Sequence, residues 1–252
     1  MEEIHGLHPL DADLGAFPRG ASIAEQLRFL VRYAVLAPSE HNTQPWRFRV
    51  TRQSLEIHLD PSRALPAIDP DQRALWISCG AACFNLRLAM HYFGMQELLE
   101  VLPEPDHPTL AARLTVMLTE CETAWEEKQL FRAIPQRRSN RQQFTNKEIP
   151  LNLVASLISA AGNEGAWLSV VRKKEKRREI ANLIMEAEGR LWASDSFRME
   201  LNRWTRAHYA GERDGLPAHT SPKRIECEPH VPTSHPGRMK RRIWCLARLS
   251  SR

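Results

Sequence analysis

The sequence predicts an α+β fold, and three patterns carry that prediction. Apolar residues between 22 and 37 recur at the three- and four-residue spacing of a helix that buries one face. Between 45 and 60 they alternate instead, as in the two strands of a β-hairpin. A weaker form of the same helix-then-strand order returns at 151–172. We therefore expect helices around antiparallel sheets, arranged as two related units.

The first helix has a start and a stop in its sequence. Ser22 and Glu25 fit a capping box, in which a hydroxyl and a carboxylate satisfy free N–H groups at a helix start. Pro38 ends the helix, because proline disfavours helical backbone at the preceding residue and has no N–H to donate. Trp46 follows at the start of the predicted hairpin and is expected to pack beneath the loop before it.

Further elements follow from the same patterns. A long helix is predicted at 69–94, apolar nearly all round, as suits the centre of a domain. Cys79 and Cys83 lie on it among small apolar residues, so we interpret them as core residues rather than metal ligands. The other predicted elements are a strand at 112–119, a helix at 151–161, a strand at 166–172 and a long charged helix at 173–208.

Composition limits the class of protein. With 252 residues, 42% of them apolar, the chain can bury a substantial core, as one large or two small domains. No uncharged apolar stretch is long enough to cross a membrane, and the N-terminal residues do not resemble a secretory signal. Five scattered cysteines do not form a disulfide framework. We expect a reduced, cytoplasmic protein.

The positive net charge comes from the C-terminal residues. Residues 221–252 hold eight Lys or Arg and two Asp or Glu, whereas the first 220 residues hold 27 basic and 28 acidic ones. Such a tail could contact nucleic acid or an anionic membrane, or could be a solvated end, and we favour the solvated end. The expected domains are 1–133, 134–220 and a disordered, Pro-rich basic tail at 221–252, with no specific nucleic-acid or membrane partner.

The two predicted units align with each other. Leu27–Glu40 matches Leu151–Glu164 without gaps at an offset of 124 residues, and a three-residue deletion then brings Trp46 opposite Trp167. The identities are few, so helical periodicity alone could imitate the match. We interpret it as a duplication.

Two polar segments carry the candidate chemistry. "PSEHNTQPW" (38–46) crowds polar side chains between two apolar elements, where a loop could hydrogen-bond the edge of a planar heteroaromatic ring; the alternative is an ordinary helix-stop loop. "RRSNR" (137–141) offers three guanidinium groups and a hydroxyl, which suit a phosphate monoester; the alternative is a solvated basic turn. The cysteines and histidines at 227, 230, 235 and 245 fit no standard zinc spacing, so we predict no metal site.

These segments, together with "CGAACFNLRLAMHYFGM" (79–95), resemble the nitroreductase superfamily of FMN-dependent oxidoreductases. The layout is similar to its Acg-like branch, in which two nitroreductase-like units are fused, and the resemblance covers about residues 20–220. In ordinary members FMN lies at a homodimer interface, with the Arg/Ser loop on its phosphate and the Pro-Ser…Asn loop beside its ring. The resemblance therefore implies this fold here, with a second unit that is incomplete.

The two halves keep complementary parts of that site. The first half keeps Pro38, Ser39 and Asn42 beside the flavin ring. The second half keeps the phosphate-binding residues, which are Arg137, Arg138, Ser139 and Arg141. The counterparts in the opposite halves, Asp13–Phe17 and Gly162–Gly165, have lost the motifs. The resemblance thus implies one FMN site per chain and a monomer that acts as an intramolecular pseudo-dimer.

The implied activity is the oxidation of NAD(P)H by FMN and the reduction of a quinone, nitroaromatic or similar small-molecule acceptor. We assign no catalytic acid or base, because hydride chemistry belongs to the flavin, and we expect His41 only to form hydrogen bonds. Relatives continue beyond "DGLP", so we expect a shortened or frame-shifted sequence from about Ser221. Two alternatives remain: a flavin-binding protein without turnover, and an inactive remnant with a structural or interaction role.

Overall fold

The computed structural model describes residues 14–120, 123–140, 144–145, 147–206 and 213–218. Its helices are α1 (Ile23–Ala34), α2 (Arg73–Tyr92), α3 (Trp125–Ala133), α4 (Leu151–Asn163), α5 (Lys174–Ala193) and α6 (Asp195–Arg203). Its strands are β1 (Trp46–Val50), β2 (Ser54–Leu59), β3 (Met95–Val101), β4 (Leu110–Glu120), β5 (Thr205–Arg206) and β6 (Leu216–Pro217). The predicted α+β class is confirmed.

The described residues form two compact units. Unit 1 contains residues 14–139 and 196–218, and unit 2 contains residues 140–195. The expected division at residue 133 and the origin of the two units by duplication stay predictions. The predicted tail at 221–252 lies outside the described residues.

Unit 1 is built on a four-stranded antiparallel sheet with strand order β1-β2-β4-β3. The predicted hairpin is confirmed, with Phe48 opposite Ile57 and Trp46 opposite Leu59. The strand predicted at 112–119 is β4, which pairs with β2 on one side and β3 on the other. Strand β3 was not predicted, since its residues do not alternate cleanly between buried and exposed positions.

Helix α1 confirms its predicted start. The Glu25 amide donates to Ser22 Oγ at 3.3 Å, and the Ser22 amide donates to Glu25 Oε2 at 3.0 Å, so the two side chains satisfy two free N–H groups at the helix start. The helix buries one apolar face and ends at Ala34, ahead of Pro38.

Helix α2 is the buried centre of unit 1. Its Asn85 Nδ2 donates to the Tyr33 carbonyl oxygen at 3.1 Å, which ties α2 to α1. Cys79 and Cys83 are both buried, as predicted. Burial, and then the neighbouring Cys83, raises the pKa of the Cys79 thiol to about 12, so this thiol is not a reactive thiolate at neutral pH.

Unit 2 departs from the sequence prediction in two places. Helix α4 confirms the helix predicted at 151–161, but residues 166–173 are not a strand, and Trp167 there is 86% exposed. A strand needs a partner for its backbone groups, and no described segment of unit 2 supplies one. The helix predicted at 173–208 is broken at Ser194, whose backbone is extended, since Ser and Asp favour helix ends over helix interiors.

Candidate functional site

The loop between α1 and β1 has an unusual backbone. After the extended Ser39, three non-glycine residues adopt positive φ angles: His41 (50°), Asn42 (53°) and Gln44 (50°). Such residues each cost roughly 1–3 kcal/mol and tend to cluster at functional sites. The Gln44 amide donates to Ser39 Oγ at 2.9 Å, and this bond holds the turn closed. The segment singled out in the sequence is therefore a strained, specifically shaped loop.

A second segment of unit 1, residues 213–218, lies against this loop. Asn42 Nδ2 donates to the carbonyl oxygens of Arg213 and Gly215, both at 3.2 Å, and the Gly215 amide donates back to the Asn42 carbonyl oxygen at 3.1 Å. Gln44 Nε2 also donates to the Arg213 oxygen, at 2.6 Å. Both N–H groups of the Asn42 side chain are thus engaged in holding the "DGLP" turn.

Ion pairs strengthen the same junction. Arg63 Nη1 lies 2.7 Å from Asp214 Oδ2 and donates to the Thr43 carbonyl oxygen at 2.8 Å, while Arg206 Nη2 lies 2.9 Å from Asp214 Oδ1. Burial raises the pKa of the Asp214 carboxyl, but the hydrogen bonds from the two guanidinium groups outweigh it and hold this pKa below its ordinary value. Asp214 is therefore ionised at neutral pH.

His41 is a buried polar side chain of the loop. It is 8% exposed. Its Nδ1 lies 3.2 Å from Glu40 Oε1, and its buried Nε2 has no hydrogen-bond partner among the described residues. A buried polar atom without a partner carries a free-energy penalty, which a hydrogen bond from a ligand would relieve.

The predicted phosphate residues follow α3 and a short 3₁₀ turn at Ile134–Gln136. Arg137, Arg138 and Ser139 are exposed. Arg137 Nη2 donates to the Leu36 carbonyl oxygen at 3.4 Å, and Arg137 Nη1 donates to Ser139 Oγ at 3.4 Å. Leu36 precedes the strained loop by two residues, so these arginines lie near it within unit 1. Arg141 lies outside the described residues.

Sequence reasoning missed part of this arrangement. It singled out neither Arg63 nor Arg206, and it mentioned Asp214 only as the first residue of "DGLP". These residues lie as far as 151 positions apart in the chain, and no local spacing relates them. Helix α3 was also not predicted, and its Phe131 packs on Tyr33 of α1 at a centroid distance of 4.7 Å.

The described residues contain neither a cluster of metal-ligating side chains nor a helix suited to cross a membrane. No group of three or more His, Cys, Asp or Glu side chains there could hold a metal ion. No helix in that part of the chain combines the length and the apolar character that crossing a membrane requires. The cysteines and histidines at 227–245 lie outside it.

The chain is similar to proteins of Mycobacterium tuberculosis. It is 31% identical over 217 residues to "Putative NAD(P)H nitroreductase Rv3131", covering 86% of this chain and 59% of the relative. It is 29% identical over 191 residues to "Putative NAD(P)H nitroreductase acg", covering 76% of this chain and 56% of the relative. It is also 30% identical over 184 residues to "Uncharacterized protein Rv3127", covering 71% of this chain and 53% of the relative.

The chain thus spans somewhat more than half the length of the relatives it matches. No protein-family model matches it. The similarity nevertheless extends over most of this chain, and the names of two relatives agree with the resemblance carried by the two polar segments. The chain belongs to the nitroreductase superfamily.

Proposed function

We propose that the chain binds one FMN and uses NAD(P)H to reduce a quinone, nitroaromatic or similar acceptor. The observation that carries the proposal is the hydrogen bond from Arg137 to the Leu36 carbonyl oxygen. It joins the Arg/Ser segment to the chain just ahead of Pro38, so the phosphate-type and ring-type loops are neighbours in one unit. The relatives' names support NAD(P)H as the donor.

The Arg/Ser segment suits the phosphate of FMN. The side-chain partners of Arg137 and Arg138 among the described residues are neutral oxygen atoms: Arg138 Nη1, for example, donates to the Pro135 carbonyl oxygen at 2.7 Å. No carboxylate of the described residues pairs with either guanidinium group. A phosphate would therefore meet two uncompensated positive charges and the Ser139 hydroxyl, which is the donor set that favours a phosphate monoester.

The strained loop suits the ring. Pro38 is exposed. The Ser39 oxygen accepts one hydrogen bond and keeps its own proton available. His41 Nε2 supplies a buried polar atom without a partner in the described chain. Asn42 would contribute through its Oδ1, since its N–H groups hold Arg213 and Gly215. These groups can orient a heteroaromatic edge.

The separate roles of the cofactor and of the protein follow from this donor set. Bound FMN would supply hydride transfer between NAD(P)H and the acceptor. The arginines neutralise negative charge, and the loop fixes orientation, so we assign no side chain as a catalytic acid or base. Because both loops come from one chain, we propose that the functional form is a monomer.

The test begins with an absorbance spectrum of the protein after FMN is added and the excess is removed. We expect a retained flavin band near one FMN per chain. Arg137→Ala/Arg138→Ala should weaken FMN binding by about 100-fold or more, because two charge-assisted contacts of about 1.5–3 kcal/mol each are lost. Arg172→Ala/Arg178→Ala is the control, since it removes the same charge from exposed positions of unit 2.

Turnover is then measured as NADH and NADPH oxidation with a quinone and a nitroaromatic acceptor. Flavin retention without oxidation of either nucleotide would favour the alternative of a flavin-binding protein without turnover. A folded parent that retains no flavin would contradict the proposal, as would equal losses in the two double variants.

A further inference from the structure

A cleft of about 240 Å³ lies beside the docked turn, entirely within unit 1. Its lining contains three arginines, one acid, one hydroxyl and one indole: Ser62, Arg63, Arg203, Trp204, Arg206 and Asp214. None of these residues belongs to the two polar segments from which the flavin site is proposed. The cleft is large enough for an anionic group together with part of the molecule that carries it.

The charges in this cleft do not balance. Asp214 pairs with both Arg63 (2.7 Å) and Arg206 (2.9 Å), so one carboxylate serves two guanidinium groups. The Arg203 guanidinium is not paired with any carboxylate of the described residues. Asp60 lies 3.7 Å from Arg63 and pairs with Arg47 at 3.1 Å. When both are counted, four guanidinium groups face two carboxylates, which leaves an excess of about two positive charges at neutral pH. A set of converging cations in a concave surface raises the local concentration of anions.

The indole of Trp204 organises these cations. The guanidinium carbons of Arg63, Arg203 and Arg206 lie 5.9, 6.0 and 5.5 Å from its ring, within the range of a cation–π interaction. Trp204 is buried, so it is a fixed support. Ring contacts place the arginines without neutralising them, because an aromatic face carries no net charge.

Two of the arginines are already held in position. Arg63 also donates to the Thr43 carbonyl oxygen at 2.8 Å, and Arg206 Nη1 donates to the Arg203 carbonyl oxygen at 2.7 Å. The Asp60 carboxylate lies 3.7 Å from the Arg63 guanidinium and 3.1 Å from the Arg47 guanidinium. It also accepts a hydrogen bond from the Ser62 hydroxyl at 2.6 Å. Held donors lose less entropy when a ligand binds, which favours affinity.

We propose that this cleft is a second anion site, which binds a phosphate group. A phosphate monoester carries a charge of about −1.5 to −2 at neutral pH and accepts several hydrogen bonds, so it matches an excess of two positive charges. A ligand with a single carboxylate carries one negative charge and would neutralise only half of that excess. The ligand is either free phosphate or the phosphate group of a nucleotide, and the inference does not depend on flavin binding.

The experiment is calorimetric titration of the full chain with inorganic phosphate, adenosine 2′-monophosphate and adenosine 5′-monophosphate at low salt. We expect saturable binding that Arg203→Ala weakens by about tenfold or more, the scale of one charge-assisted contact. Arg203→Glu should abolish it. Both variants should fold, because Arg203 is exposed and forms no ion pair with the described residues. Arg52→Ala, which removes an exposed arginine between β1 and β2, is the control.

A second comparison separates this cleft from the proposed flavin phosphate residues. In Arg137→Ala/Arg138→Ala, the part of the binding that Arg203→Glu abolishes should stay within twofold of the parent. Tighter binding of one nucleotide than of phosphate would identify a nucleotide as the source, whereas equal affinities would identify free phosphate. The proposal is overturned by a parent that binds none of the three, by an Arg203→Glu variant that binds as the parent does, or by loss of binding only in the Arg137/Arg138 variant.

Discussion

The side-chain amide of Asn42 donates a hydrogen bond to the carbonyl oxygen of Gly215 across 173 residues of chain. The Gly215 amide returns a bond to the Asn42 carbonyl oxygen at 3.1 Å. This reciprocal pair closes the strained loop onto the turn that carries Asp214. It makes the shape of one segment depend on the presence of the other.

Replacing Asn42 should therefore loosen the turn. Asn42→Asp removes both N–H donors and sets a carboxylate against the carbonyl oxygens of Arg213 and Gly215, so we expect a loss of about 1–3 kcal/mol in the free energy of unfolding. Trypsin should also cleave after Arg213 faster than in the parent. Asn202→Asp makes the same change of charge at an exposed position of α6 and should leave the rate unaltered. Equal rates in all three proteins would contradict the proposed restraint.

Gly215 is required for two reasons that a pair of variants can separate. Its φ is +82°, and an added Cβ would lie 2.7 Å from the Trp204 carbonyl oxygen. Gly165 has a φ of +70° with no atom within 4 Å of an added Cβ. Gly165→Ala should cost about 1 kcal/mol from backbone strain alone, and Gly215→Ala about 2 kcal/mol or more. Urea unfolding measures both values, and an equal cost would exclude the steric contribution.

The Asp214 ion pairs should make stability depend on acidity. The pKa of Asp214 is lower in the folded protein than the ordinary value of 3.8, so the folded state binds fewer protons on this group than the unfolded state does. Its stabilisation is present above pH 3.8 and is lost as pH falls through the lower, folded-state pKa. Asp214→Asn should cost about 2 kcal/mol at pH 7, and the difference should shrink as pH falls to 3. Asp71→Asn, at an exposed position, is the charge-matched control.

The ion pairs of His91 should make stability depend on pH in the opposite direction from those of Asp214. Its Nε2 lies 2.8 Å from Glu97 Oε2, and its Nδ1 lies 3.0 Å from Glu127 Oε1. The hydrogen bond to Glu97, reinforced by both acids, raises the pKa of His91 above 6.5 despite its burial. The stabilisation is therefore fully present below pH 6.5 and is lost as pH rises through the raised pKa.

His91→Gln tests that dependence. The variant should lose about 1 kcal/mol or more relative to the parent at pH 6, and the gap should narrow at pH 9. Denaturant unfolding at both values measures it, with His107→Gln as the control at an exposed position whose ring faces Glu104. A gap that stays constant, or that widens with pH, would contradict the assignment.

The sequence predicts those elements whose signals lie close together in the chain. Ser22 and Glu25 are three residues apart and define the start of α1, and alternation from Trp46 onward defines β1. The segment around Trp167 shows the limit of this reasoning. Its apolar residues suggest a strand, but a strand also needs a partner, and the local pattern carries no information about whether one exists. Helix α3 buries Phe131 alone and so has little periodicity to detect.

The candidate site also has parts that the sequence predicts and parts that it does not. The residue types of the strained loop and of Arg137–Ser139 were predicted, because polar and basic clusters stand out from an apolar background. The role of Asn42 in holding a distant turn was not, since it depends on the three-dimensional position of Gly215. The cleft lined by Arg203 and Trp204 likewise has no signature in the sequence, because its cations come from segments separated by about 140 residues.

The bond between Asn42 and Gly215 also sets an order of events during synthesis. A contact that encloses about 170 residues carries a large loop-closure entropy, and contacts of this range form after local ones. The helices and sheet of residues 14–139 can pack while the ribosome is still adding residues. The restraint that Gly215 adds to the left-handed backbone at Asn42 becomes available only after residue 215 has left the exit tunnel. The proposed ring-binding loop is therefore among the last parts of unit 1 to reach its final shape.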